Sequence, residues 1–328
     1  MKIVITGGAG MIGSNLAHAM LVKGFEVHIL DNFWRGTRDN LKQVCGPLYS
    51  KLKIHEVDLS LGLEWSCLLE NADCVYHLAD IVAGISYVFN NESYIFRQNL
   101  LINANVASAC ESMKVKRYVY VGTACSFPLE LQTGVDAKPM EEEQQFPANP
   151  ESAYGWSKLM GELDAKYLTE NSGIPSVVLV FHNVYGFPTD YKSNRAQAIP
   201  AMCFRALNAT SSKELIVWGD GSQGRAFVHV TDVVRALESA LIYGENQGAI
   251  QIGPDICSSI RETAETIVDI VDPKINIVYD PKKPVGDKGR CANFSKASAL
   301  LGWQPSVDFR DGLESLISWI KSNEKQGN

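Results

Sequence analysis

The first 31 residues constrain this chain more than any other stretch. Lys2-Ile3-Val4-Ile5-Thr6 is a short, largely β-branched run. It feeds the glycine turn Gly7-Gly8-Ala9-Gly10-Met11-Ile12-Gly13, which opens a helix, and Val27-His28-Ile29-Leu30-Asp31 reads as a second strand closed by an acid. Strand, glycine turn, helix and strand in that order form the first unit of a Rossmann-type sheet. The glycines permit a tight turn and let a pyrophosphate approach backbone N–H groups at a helix N-terminus. Gly7, Gly10, Met11, Ile12 and Gly13 are therefore expected to cradle a dinucleotide. Asp31 stands 18 residues beyond Gly13, where a carboxylate can accept hydrogen bonds from adenosine ribose hydroxyls. A 2′-phosphate would be repelled there, so NAD is expected rather than NADP.

At 328 residues, with 46% hydrophobic and 20% charged residues, the chain can bury a large core as a soluble protein. A net charge of −7 argues against a nucleic-acid surface. Eight cysteines are scattered with no C-x-x-C pair, so neither a metal site nor a disulfide framework is indicated and a cytoplasmic location is expected. The longest apolar runs are of strand length, too short to span a membrane. A structural strand starting at Lys2 leaves no place for a signal peptide.

Further strand-like runs are Leu52–Leu59, Cys74–Ala79, Tyr118–Gly122 and Ser176–Val180, with helical stretches between them, notably 93–113 and 152–171. Alternation of this kind implies an α/β fold, a doubly wound parallel sheet whose ligands sit beyond the carboxyl ends of its strands. Asp31, Asp58, Asp80, Thr123 and Asn183 all follow strand ends, and Asp58 suits an adenine contact. Residues 1–180 are read as the NAD-binding domain. Residues 181–328 are read as a smaller C-terminal α/β lobe closing over the ligand. Its Gly186–Asn194 segment reads as a loop, and Phe227–Val230 is a candidate to return to the N-terminal sheet.

The second strong signal is Tyr154-Gly155-Trp156-Ser157-Lys158. Spacing of i, i+4 sets Tyr154 and Lys158 on one helix face. An ammonium beside a phenol favours phenolate, so Tyr154 is expected to titrate low and take a proton from a sugar hydroxyl while NAD takes the hydride.

With Asp31-Asn32, Asp58-Leu59, His77-Leu78-Ala79, Gly122-Thr123-Ala124, Asn183-Val184-Tyr185-Gly186 and Gly219-Asp220-Gly221 with Arg225, these motifs cover almost the whole length. The chain resembles the extended short-chain dehydrogenases/reductases of the nucleotide-sugar epimerase and dehydratase group. The resemblance implies a retained NAD, touched also by Asn32, Leu59, Leu78 and Ala79. It implies a nucleoside-diphosphate sugar as substrate, with Thr123 at O4, Asn183 beside it, and Arg225 and Arg290 as candidates for the diphosphate. It also implies a homodimer joined by a four-helix bundle of segments 93–113 and 152–171.

Residues 123–125 discriminate within the group. Dehydratases of this group place Asp-Glu after the Ser or Thr, and simple 4-epimerases place Ala-Thr or similar. Ala124-Cys125 instead resembles the GDP-mannose 3,5-epimerase branch, whose cysteine is an acid/base at a sugar carbon. Phe181-His182-Asn183 and Trp218 to Arg225 carry the same likeness. That branch uses a lysine as second acid/base, where this chain has Gln197, which cannot exchange a proton. Lys192, nearby, reads as a solvated loop lysine. The expected enzyme is an epimerase acting through a 4-keto sugar, with Cys125 working at C5. A 4-epimerase with Cys125 inert, a dehydratase using Cys125 to remove the C5 proton, and a non-catalytic NAD-binding regulator remain open.

Overall fold

Runs of β-branched and aromatic residues without polar alternation fold as strands buried on both faces. In the computed structural model, which describes residues 1–209, 213–283, 285–286 and 288–326, such runs build the centre of the molecule. In order come β1 (Lys2–Thr6), α1 (Met11–Val22), β2 (Glu26–Asp31), α2 (Arg38–Cys45), β3 (Lys53–Glu56) and β4 (Cys74–His77). Next are α3 (Ile85–Asn90), α4 (Glu92–Ser112), β5 (Tyr118–Thr123), α5 (Ala153–Ser172) and β6 (Ser176–Phe181). The remainder gives β7 (Asn183–Tyr185), α6 (Ala198–Asn208), β8 (Glu214–Trp218), β9 (Gly224–Arg225), β10 (Phe227–His229), α7 (Val230–Ala240) and β11 (Ala249–Ile252). It closes with β12 (Ser258–Ser259), α8 (Ile260–Val271), β13 (Asn276–Asp280), α9 (Ser295–Leu301) and α10 (Phe309–Gln326).

Seven strands form one parallel sheet in the order β11-β6-β5-β4-β1-β2-β3. From β1 the chain winds first to β2 and β3 on one side, then to β4, β5 and β6 on the other. The switch point between β1 and β4 opens a crevice at the carboxyl ends of the strands, the place where such sheets bind ligands. One face of the sheet packs Leu16 and Met20 of α1, Leu237 of α7 and Trp303. The other packs Ile95, Ile102 and Val106 of α4 with Leu168 of α5. A third core, in the C-terminal half, joins Met202 of α6, Ile267 of α8, Val217 of β8 and Leu316 of α10.

One expected pairing is not found. Phe227–His229 does not return to the large sheet but pairs with β7 in a separate two-stranded ribbon. The strand that joins the sheet is β11, parallel to β6 with Ala249 opposite Val178. The chain turns away from the sheet after Phe181, and the Asn183 amide donates to the Ala226 carbonyl at 3.0 Å, so residues 227–229 follow β7 outward. The vacated β6 edge is taken by fully buried Ile250 and Ile252.

Candidate active site

The residues singled out as NAD or substrate contacts all line one cleft of about 530 Å³ at the switch point. Its floor is the glycine turn. Gly7 has φ +64, and a Cβ there would lie 2.8 Å from Ala79 Cα; a Cβ on Gly13 would lie 2.5 Å from the Gly7 carbonyl oxygen. Gly10 caps α1 without a side chain, which leaves that helix end open to an anion.

Asp31 ends β2 across from this turn. One carboxylate oxygen accepts from the Ala9 amide at 2.9 Å and the other from the Phe33 amide at 2.8 Å. Burial pushes its pKa up, opposed by those two amides. Asp58 is held by the Ser60 amide and hydroxyl, and Asn32 donates to it at 3.4 Å. Leu59, Leu78 and Ala79 complete the wall. An open helix end, glycines that cannot bear a Cβ and an acid at the second strand end together fit a dinucleotide with unmodified ribose hydroxyls.

The residues expected from sequence to carry the chemistry, Thr123, Cys125, Tyr154 and Lys158, line the same cleft. Ser152 caps α5, its hydroxyl accepting from the Gly155 amide at 3.3 Å, and this cap fixes Tyr154 in the first turn. The Tyr154 hydroxyl donates to Asp80 Oδ2 at 3.1 Å. Lys158 Nζ lies 3.4 Å from that same oxygen and 4.8 Å from the Tyr120 ring. The expectation of a low-titrating Tyr154 is corrected here. Burial, reinforced by the charge of Asp80, pushes the phenol well above its ordinary value. The lysine charge that was to stabilise phenolate is engaged by the carboxylate.

Thr123 ends β5, and its hydroxyl accepts from the Cys125 amide at 3.3 Å in a short 3-10 turn. Arg290, only 3% exposed, brings one guanidinium nitrogen to 3.0 Å from Cys125 Sγ and also donates to the Gln132 side chain. It is thus an interior cation beside Cys125. Arg225, on β9, donates to the carbonyls of Gly224 (2.6 Å) and Val285 (3.3 Å) while lining the cleft. Lys192 lies outside the cleft lining and pairs with Glu324 of α10 at 2.8 Å, whereas Gln197 lines the cleft ahead of α6.

Polar atoms without a partner also face this space, and of the four residues that carry them only Asn183 was singled out from sequence as a substrate contact. Arg205 Nε, Asn183 Oδ1, His182 Nδ1 and Gln223 Oε1 are buried without a hydrogen-bond partner among the described residues, and all four residues line the cleft. Buried polar groups of this kind are normally paired, so the lining suits a polar ligand. Arg205 had a readable signal, since Gln197, Ala201 and Arg205 recur at a spacing of four and share a helix face. Asp80 was noticed only as a strand-end acid. Its contact with Tyr154 spans 74 residues of sequence. Among the described residues no His/Cys/Asp/Glu group could hold a metal ion.

Comparison with known proteins agrees with this geometry. The chain is 32% identical to GDP-mannose 3,5-epimerase 1 of Oryza sativa subsp. indica over 323 residues, covering 98% of this chain and 82% of that one. A solved structure of UDP-glucuronic acid 4-epimerase from Bacillus cereus, in complex with UDP-glucuronic acid and NAD, superposes with TM-score 0.83 at 27% identity, covering 98% of this chain and 100% of that one. The fold also matches UDP-glucose 4-epimerase from Thermotoga maritima, with TM-score 0.88 at 24% identity and coverage of 99% and 100%. The model of the NAD dependent epimerase/dehydratase family matches residues 3–253, from the first strand through the seventh of the large sheet. A match of that extent, on a cradle built for the same dinucleotide, makes this chain a member of the NAD-dependent epimerase/dehydratase family, with NAD as its cofactor.

Proposed function

We propose that this protein is a nucleotide-sugar epimerase that acts through a transient 4-keto sugar, with Cys125 as acid/base at C5 of a GDP-mannose-like substrate. The observation that carries this reading is the Cys125–Arg290 contact, 3.0 Å long, in the cleft that also holds Thr123 and Tyr154. Bound NAD supplies a reversible hydride acceptor for C4. Tyr154 accepts the O4 proton, and the Thr123 hydroxyl holds O4 in line with it. A ketone at C4 acidifies the hydrogens at C3 and C5, because the carbanion left by either is delocalised onto the ketone oxygen. Cys125 takes the C5 proton, and the Arg290 guanidinium sets a fixed positive charge against the sulfur as negative charge builds there. Arg225 and Arg205 are the cations assigned to the diphosphate, with Asn183 holding the sugar. The rice relative named GDP-mannose 3,5-epimerase supports the choice of sugar and of reaction.

A second reading, 4-epimerisation with Cys125 inert, is favoured by one observation. Gln197 faces the cleft where a second acid/base is expected, and Lys192 is engaged with Glu324. Incubation with GDP-mannose and other nucleotide sugars in D₂O separates the two. Deuterium at C5 in wild type, lost in Cys125→Ala while C4 oxidation persists, is the expected result. Wild-type turnover by Cys125→Ala removes the cysteine from the mechanism and leaves 4-epimerisation.

The outer surface of the α4–α5 pair supports a homodimer, since Tyr94 and Leu101 of α4 and Trp156 and Tyr167 of α5 are all exposed there. Eight unpaired cysteines support a cytoplasmic location. No described helix is long and apolar enough to cross a membrane.

A further inference from the structure

Behind the Thr123–Cys125 turn a closed polar cluster joins that turn to α5. The Ser126 hydroxyl stands 2.7 Å from the Thr123 carbonyl oxygen and 3.0 Å from Glu162 Oε1. Gln145, at the end of the short 3-10 helix Glu142–Gln145, donates from Nε2 to Ser126 Oγ at 2.9 Å and to Glu162 Oε2 at 2.7 Å. All three side chains are buried. A hydroxyl carries one proton. With Glu162 ionised, that proton can serve the Thr123 carbonyl or the carboxylate, and the other contact is left as two facing oxygens with no hydrogen between them. With Glu162 protonated on Oε1, its O–H donates to Ser126 Oγ, the Ser126 proton goes to the Thr123 carbonyl, and all four contacts are hydrogen bonds.

We propose that Glu162 is a positioning residue held as the neutral acid, and that the donor chain from Glu162 through Ser126 to the Thr123 carbonyl sets the turn that presents Thr123 and Cys125 to the substrate. The inference rests on the reading of those two residues as the groups that meet O4 and C5. Because Glu162 lies on α5, the same chain fixes the turn relative to Tyr154 and Lys158. Loss of the Glu162 proton to solvent converts the acid from a donor into an acceptor. The Ser126 proton is then drawn to the carboxylate, and the Thr123 carbonyl loses its hold on the cluster. Glu162→Gln supplies an N–H donor at every pH and so locks the neutral pattern in place.

The titratable groups facing Glu162 are Lys158, one turn earlier on α5, and Tyr120 of β5. The lysine charge favours ionisation of the acid, and burial outweighs it. Ser126 and Gln145, which touch Glu162 from the two turns packed against it, carry no charge.

The test is made on the NAD-loaded protein. The infrared difference between wild type and Glu162→Gln is expected to show a carboxylic acid C=O band at pH 6 that is lost by pH 8. Hydrogen exchange of the Cys125 and Phe127 amides, bonded to Thr123 Oγ1 at 3.3 Å and the Ala124 carbonyl at 3.4 Å, reads the turn without substrate. Exchange should be alike in the two proteins at pH 6 and faster in wild type at pH 8. The rate of substrate-driven NAD reduction, wild type relative to Glu162→Gln, should fall about tenfold from pH 6 to pH 8, as the protonated fraction does for a group with a pKa of about 7. In a Ser126→Ala background, Glu162→Gln should no longer alter that profile. No band at pH 6, equal exchange at both pH values, or a pH difference that persists in Ser126→Ala overturns the proposal. The infrared and exchange measurements decide it even if the sugar assignment fails; a nucleotide sugar that never reduces the cofactor counts against the epimerase reading instead.

Discussion

Asp31 combines two tasks in one side chain. Its oxygens hold the amides of Ala9 and Phe33, which fixes the glycine turn against the end of β2. Each oxygen retains lone-pair capacity for a ribose hydroxyl, and the charge that accepts those bonds opposes a 2′-phosphate. Hydrogen bonds to charged groups contribute about 1.5–3 kcal/mol each. Asp31→Ala is therefore expected to weaken NAD roughly 10–100-fold, measured by calorimetry on cofactor-stripped protein. Wild-type protein that prefers NADP would contradict the role given to this carboxylate. The assignment needed no tertiary information, because acid, strand and glycine turn are close in sequence. Arg205 and Asp80 were harder to see. A lone arginine on an amphipathic helix and a lone acid after a strand have many ordinary uses, and only the folded cleft shows that one lacks a partner and the other meets Tyr154.

Helix α5 carries the Tyr154–Lys158 pair at its start and, one turn further along, Glu162. That carboxylate is buried against Ser126 Oγ at 3.0 Å and Gln145 Nε2 at 2.7 Å, directly behind the Thr123–Cys125 turn. Burial pushes its pKa up to about 7 from 4.5, with the Gln145 and Ser126 hydrogen bonds and the Lys158 charge opposing. Between those values the folded protein keeps a proton that the unfolded chain has released. Stability from this group is therefore full below about pH 4.5 and is lost as pH rises through 7, a span worth roughly 3 kcal/mol. Glu162→Gln should flatten the fall in melting temperature between pH 5 and pH 8 and melt above wild type at pH 8. Parallel melting curves for the two proteins across that range would show that Glu162 does not titrate there. At this scale, strands buried on both faces announced themselves as unbroken apolar runs, as in Tyr118–Thr123 and Ser176–Phe181. The edge strand did not. Phe227–His229 and Ala249–Ile252 are both short and apolar, and which of them meets β6 is decided by where the chain turns after Phe181.

For the whole molecule, the exposed apolar residues of α4 and α5 are the ground for the proposed homodimer. Tyr94 and Leu101 are seven residues apart and Trp156 and Tyr167 eleven, so each pair lies on one face of its helix. They are 44%, 47%, 36% and 52% exposed. Burying this face against a second copy makes a four-helix bundle. Wild-type protein is expected to sediment as a dimer, and Leu101→Glu as a monomer with its cofactor still bound. A monomeric wild type at micromolar concentration would leave the face without its assigned partner.

The chain passes repeatedly between the sheet and the C-terminal core. It leaves after Phe181, is back in the sheet core by Val228, leaves again after Ile252, returns at Ala297 and departs once more after Trp303. Each crossing ties the two cores at another point than a single linker would. In the proposed cycle the sugar spends part of each turnover oxidised, and an oxidised sugar that escaped would leave behind hydride with nowhere to go. Every such loss would retire one enzyme molecule. In that proposed cycle, a chain path that ties the walls of the cleft at several points would serve to keep the intermediate until its electrons are returned.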